Sequence, residues 1–234
     1  MIRILIQAGH VAPRQAGHTA ETGTGHEQEL SLKMQVALAE RFRKDGRFSV
    51  SLCPGQIPEG WTGELFLALH GDGASATSHG FSLGWPSNGR PNGRGPKLAA
   101  LIARNFMRIP HPGGHHADNY TDGMRGYYGW THTHAPTKVL IEHAFLTNPT
   151  ERAWVMGHID PLADATFRAV LEHEGLPLVA KPTQAVPAPG NPRRIRSLDG
   201  LSTDWTGAFT DTDFLPALRS AIAKRGDVRI GNNK

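Results

Sequence analysis

Three short apolar runs each lead to a residue that can hold a metal or carry a proton. Ile2-Arg3-Ile4-Leu5-Ile6-Gln7 runs to His10, Leu65-Phe66-Leu67-Ala68-Leu69 to His70, and Lys138-Val139-Leu140-Ile141 to Glu142. Runs this short and this rich in Ile, Leu and Val read as strands buried on both faces of a sheet. Ligand sites of open α/β sheets lie beyond the carboxyl ends of such strands. The predicted fold is α/β: a twisted, mostly parallel sheet flanked by helices, with a short C-terminal appendage. Two imidazoles and a carboxylate should meet in one crevice.

The segments between the runs complete this reading. Val11 to His26 is a loop rich in Gly, Thr and His. From Glu27 a helical period places Leu30, Met34, Leu38 and Phe42 on one face, and Gly46 stops it. Phe48 to Leu52 alternates as a strand, and Glu64 to Leu69 follows as another. Gly71 to Gly95 holds seven glycines and two prolines and is predicted to be one long loop. Lys97 to Arg108 reads as a helix. Pro110 to Pro136 reads as irregular, with His111, His115, His116, His132 and His134 in it. Asn148-Pro149-Thr150-Glu151 opens a helix with a cap and an acidic first turn. Asp160-Pro161 opens another, with Asp160 as N-cap, ending at Gly175.

A chain of 234 residues holds one substantial core. The expected division is a catalytic domain over 1–176, a Pro-rich linker over 177–192 and a small segment over 193–234. That segment includes a helix at Leu215 to Lys224 and serves as a wall-binding element or a packing strap. A single cysteine, Cys53, excludes an intrachain disulfide framework and a thiolate zinc cluster, so a metal must rest on His and carboxylate. Thirteen histidines supply ample material. A net charge of +4 favours encounter with polyanions such as acidic cell-wall polymers or nucleic acid. The opening residues lack the apolar stretch of a signal peptide and nothing approaches membrane-spanning length, so a cytoplasmic start is expected.

Zinc held by two imidazoles and a carboxylate leaves a fourth position for water, whose pKa the ion lowers toward neutrality. His10 and His70 are the first two candidate ligands. Glu27, in the first turn of the first helix, is the third and Glu29 the second choice. Thr24-Gly25-His26-Glu27 also has the form of a capping box, in which Glu27 would serve the helix end instead. Glu142 stands at the rim of a buried sheet, where desolvation raises a carboxyl pKa and suits it to moving a proton from water to a leaving amine. Tyr127, Tyr128 and Trp130 are candidates for stacking on sugars, or else anchors of their loop. The histidine-rich stretch is read as lining a groove rather than as a second metal site. Cys53 is read as a packing residue.

Ala8-Gly9-His10, Glu27-Gln28-Glu29-Leu30-Ser31-Leu32, Leu69-His70 and Val139-Leu140-Ile141-Glu142-His143-Ala144-Phe145-Leu146-Thr147-Asn148, in this order over about residues 2 to 175, resemble one family. It is the zinc-dependent N-acetylmuramoyl-L-alanine amidases of the type-3 group, which includes catalytic domains of phage endolysins. The resemblance implies a phosphorylase/hydrolase-like fold, Zn2+ on His10, Glu27 and His70, and Glu142 as the catalytic residue. The reaction it implies is cleavage of the amide between N-acetylmuramic acid and L-alanine in peptidoglycan. Gly71-Asp72 and His143 depart from the residues usual in that family.

The implied partner is peptidoglycan, with no nucleic acid and no membrane, and the protein is expected to be a monomeric endolysin that waits in the host cytoplasm. Two rival readings remain at this level. One is a zinc peptidase cutting wall stem peptides, although no His-Glu-x-x-His pair occurs in the chain. The other is a non-catalytic binder, of wall polymer through the tail or of nucleic acid through Arg193, Arg194 and Arg196.

Overall fold

The computed structural model describes residues 1–11, 26–87 and 93–178. Seven strands and six helices follow one another among them: β1 (Ile2–Ala8), α1 (Glu27–Asp45), β2 (Phe48–Pro54), β3 (Trp61–Thr62), β4 (Leu65–Asp72), β5 (Ser82–Gly84), α2 (Arg94–Phe106), α3 (Asp122–Arg125), α4 (Gly129–His132), β6 (Thr133–His134), β7 (Thr137–Phe145), α5 (Pro149–Gly157) and α6 (Ile159–His173). Most of the predicted loop between Val11 and His26 lies outside the described residues. So do the linker beyond Leu178, the 193–234 segment and the Leu215–Lys224 helix.

The main sheet has the strand order β2-β1-β4-β7-β5, with parallel pairs throughout except β5, which runs antiparallel to β7. The predicted fold class is borne out. Among the parallel strands chain order runs outward in both directions from β1, so β1 and β4 flank the switch point at which open α/β sheets bind ligands. A separate two-stranded sheet pairs β3 with β6.

Alternation along the strands divides the core. Ile4, Ile6, Leu65, Leu67, Leu69, Val139 and Ile141 face the three long helices α1, α2 and α6 in one buried cluster. Leu5, Phe66, Ala68 and Leu140 point the other way, against Trp61, Met124 and Trp130. Burying each such side chain is worth about 1.5–3 kcal/mol, so two-sided burial explains why the strands carry unbroken apolar runs. The second face is covered by short elements and turns. Residues continuing its parity, Gln7, His70 and Glu142, are where the apolar pattern gives way to polar groups.

Several expectations are corrected. The apolar runs end, but the strands do not: β4 continues through His70 to Asp72 and β7 through Glu142 to Phe145, because ladder hydrogen bonds persist past the last aliphatic residue. The supposed loop from Gly71 to Gly95 contains β5, a three-residue edge strand held by β7 and too short to show a period. Helix α2 starts at Arg94 rather than Lys97, taking in Gly95, where a Cβ would stand 2.8 Å from the Lys138 carbonyl oxygen. Asp160 is not a cap. Helices α5 and α6 share His158 as their junction residue, so Asp160 and Pro161 fall inside the first turn of α6. At the other end of α5 the Asn148 cap is as expected, its side chain accepting from the Thr150 and Glu151 amides.

Candidate metal centre

The site begins with backbone geometry at the end of β1. Gly9 donates its amide to the Leu69 carbonyl across the switch point, at 2.8 Å. The His70 imidazole lies so close that a Cβ on Gly9 would stand 2.2 Å from its Cε1. His10 follows with φ of 56°, a left-handed conformation that costs a non-glycine residue about 1–3 kcal/mol and tends to be kept where a side chain must be aimed. Its ring meets that of His70 edge to face, with centroids 5.1 Å apart.

Glu27 completes the group from the first turn of α1. Its Oε1 lies 3.1 Å from His70 Nδ1 and 3.6 Å from His10 Nε2, and accepts the Gly71 amide at 3.2 Å. A capping box requires the glutamate at the third helical position, whereas α1 begins at Glu27 itself, with His26 as an N-cap that makes no side-chain bond. Position, then, turns Glu27 to the crevice. Glu29 instead pairs with Lys33 on the helix surface. Among the described residues, His10, Glu27 and His70 form the one cluster whose ligand atoms converge, all within 4.8 Å of one another. Zinc bonds of about 2.0–2.2 Å to nitrogen and oxygen put neighbouring ligand atoms somewhat over 3 Å apart. Two imidazoles with one glutamate is also a known donor set of catalytic zinc, so these residues fit the ion.

Glu142 stands directly opposite His70 in the β4–β7 register. Burial, and then the nearby charges of Glu27 and Asp72, raise its carboxyl pKa well above the usual range. Its Oε2 is buried with no hydrogen-bond partner among the described residues. Asp72, which sequence reasoning noted only as a departure, adds a second acid beside it. The Tyr120 hydroxyl donates to Asp72, and burial together with that bond lifts the tyrosine pKa.

The aromatic residues divide. Trp130 is buried and gives its indole N–H to the Met124 carbonyl, so it is a loop anchor and not a sugar platform. Tyr127 turns its hydroxyl toward His70 Nε2, at 3.2 Å, and gives its proton to Gln7 Oε1, at 2.5 Å. Burial pushes that hydroxyl well above its ordinary pKa. Tyr128 accepts the Ile57 amide. No periodicity marks Gln7 or Tyr127 in the sequence, since their partners lie 120 residues apart.

The histidine-rich stretch makes no second convergent cluster among the described residues. His115 stacks on Phe81 and pairs with Asp118, and His132 bonds the Tyr128 carbonyl. His111 is buried beside Glu151, a carboxylate the sequence showed only as a first-turn acid. Glu151 accepts the Gly80 and Phe145 amides and is 1% exposed. Burial lowers the pKa of His143 to about 4, and its Nδ1 bonds the His70 carbonyl at 2.9 Å.

A family model of N-acetylmuramoyl-L-alanine amidases matches residues 4–172. No protein of curated function matches in sequence. Among solved structures, the amidase Ami1 from Mycobacterium smegmatis aligns at 15% identity over 74% of this chain and 97% of its own, with a TM-score of 0.57. The catalytic domain of CwlV, an N-acetylmuramoyl-L-alanine amidase from Bacillus (Paenibacillus) polymyxa var. colistinus, aligns at 16% identity over 76% and 100%, with a TM-score of 0.54. The catalytic domain of the CD27L endolysin, which targets Clostridia difficile, aligns at 18% identity over 74% and 98%, with a TM-score of 0.50.

Proposed function

Since this chain belongs to the N-acetylmuramoyl-L-alanine amidase family, we propose that it hydrolyses the amide between N-acetylmuramic acid and L-alanine in peptidoglycan, with zinc held by His10, Glu27 and His70 and with Glu142 as the catalytic residue. The observation that carries this reading is the pairing of a two-histidine, one-glutamate cluster with a desolvated carboxyl group directly opposite one of its members. When bound, the ion supplies an acidified water and a Lewis acid for the amide carbonyl.

The chain's own residues do the rest. His10 and His70 present ring nitrogens to the cluster, and Glu27 is fixed by the Gly71 amide so that one oxygen faces both rings. Glu142 takes a proton from the attacking water as its oxygen joins the lactyl carbonyl carbon. It returns that proton to the L-alanine nitrogen as the carbon–nitrogen bond breaks. Oε2, lacking any other partner among the described residues, is the oxygen suited to hold it. Burial, and then charge from Glu27 and Asp72, favours the protonated form, which makes the second transfer possible.

The endolysin role belongs to the same proposal. It is supported by the fold shared with the CD27L catalytic domain and by a net charge of +4, which suits work on acidic wall polymers. Digestion of purified peptidoglycan tests the reaction: new L-alanine amino termini with intact glycan support it, whereas cuts inside the stem peptide overturn it. Expression in a bacterium with and without a membrane-permeabilising protein tests the role. Lysis only in the pair supports an endolysin, and no lysis in either overturns it.

A further inference from the structure

Four groups lead from a backbone carbonyl to the metal cluster, and each fixes the next. The Gly55 carbonyl can only accept, so the amide group of Gln7 that faces it at 2.7 Å is the nitrogen. The Gln7 oxygen therefore faces Tyr127, whose hydroxyl donates to it at 2.5 Å. A phenol has one proton, and with that proton committed to Gln7 the same oxygen can only accept from His70 Nε2, 3.2 Å away. His70 then carries its hydrogen on Nε2. Its Nδ1 then meets Glu27 Oε1, another acceptor, at 3.1 Å, and two lone pairs that close are compatible only with a cation bound between them.

We propose that Tyr127 and Gln7 are positioning residues that hold His70 in the Nε2–H tautomer and so present Nδ1 as the ligand atom. The inference rests on the metal reading above and deepens it. Gly55 stays in place because its own amide donates to the Ala8 carbonyl at 2.8 Å, and Gln7 is 2% exposed, so water does not compete for its amide group. Edge-to-face contact between the Tyr127 and His70 rings, with centroids 5.4 Å apart, keeps the hydroxyl at the imidazole edge. Partners of this kind orient ligating histidines and commonly contribute 10- to 100-fold to metal affinity.

The test uses the full chain and reads two quantities. First, long-range proton–nitrogen NMR of the zinc-loaded protein at pH 8 reports which His70 nitrogen carries the hydrogen and which holds the ion. The wild type is expected to show Nε2–H, and Gln7→Met, which frees the tyrosine proton to turn toward His70, a mixture. Second, zinc affinity by chelator competition is expected to fall about 10- to 100-fold in Tyr127→Phe, with circular dichroism unchanged. Nδ1–H in the wild type overturns the inference. So does a Tyr127→Phe protein, or a Gln7→Met protein should the phenylalanine variant not fold, that matches the wild type in both tautomer and affinity. A wild type that takes up no zinc sinks the metal reading and this inference with it, whereas zinc held through Nε2, with the hydrogen on Nδ1, overturns this inference alone.

Discussion

His70 and Glu142 are register partners on adjacent parallel strands, so their side chains leave the same face of the sheet one strand spacing apart. One helps form the cluster that fits a metal, and the other is a carboxyl group that burial and two neighbouring acids bias toward its protonated form. Replacing Glu142 by Gln keeps size and hydrogen-bonding shape but removes the proton carrier. Turnover of purified peptidoglycan is expected to drop about 10²- to 10⁴-fold with zinc content unchanged. Product release assays together with metal analysis check both halves.

Metal removal should abolish activity, and adding Zn2+ should restore it. Metal analysis should find one zinc per wild-type chain and next to none in His70→Ala, since two ligands from separate elements do not hold the ion as three do.

Gly9→Ala separates site from fold. An added methyl would stand 2.2 Å from His70 Cε1 and 2.4 and 2.6 Å from its two ring nitrogens, so the strain falls on the imidazole. The expected outcome is a folded protein with metal affinity reduced at least as far as in Tyr127→Phe, measured by chelator competition alongside thermal unfolding.

Glu151→Ala should be among the most destabilising single changes outside the apolar core. It strands the Gly80 and Phe145 amides in the interior, at about 1–3 kcal/mol each. Asn148→Ala removes the α5 cap and a side-chain bond to the Ser78 carbonyl and should cost about 1–2 kcal/mol. Urea unfolding of both variants gives the comparison.

Cys53 provides the pH dependence. Burial pushes its thiol up to about 12 from an ordinary 9.0. The folded-state pKa therefore exceeds the unfolded one, so the contribution is complete below pH 9 and is lost as pH rises toward 12. At pH 10.5 the wild type should have lost about 1–2 kcal/mol more than Cys53→Ala, relative to pH 8. Urea midpoints at the two pH values decide this, and alkylation of the native thiol at pH 8 should be slow for the same reason.

The sequence by itself determined the strands that build the sheet's centre, the long helices and three of the polar residues at the switch point, His10, His70 and Glu142. Burial on both faces forces unbroken apolar runs, and the residues that interrupt them, His70 and Glu142, stand out by contrast. Tertiary structure alone decided the rest. Glu27 reads equally well as a cap until the start of α1 fixes its position. Edge strand β5 exists only because β7 offers it hydrogen bonds. Gln7, Tyr127, Asp72 and Glu151 carry no periodic signal, because each is defined by partners that chain folding brings from far along the sequence. Hydrophobic burial is local enough to be written as a pattern, whereas the direction of a hydrogen bond between distant side chains is fixed only once both ends are in place.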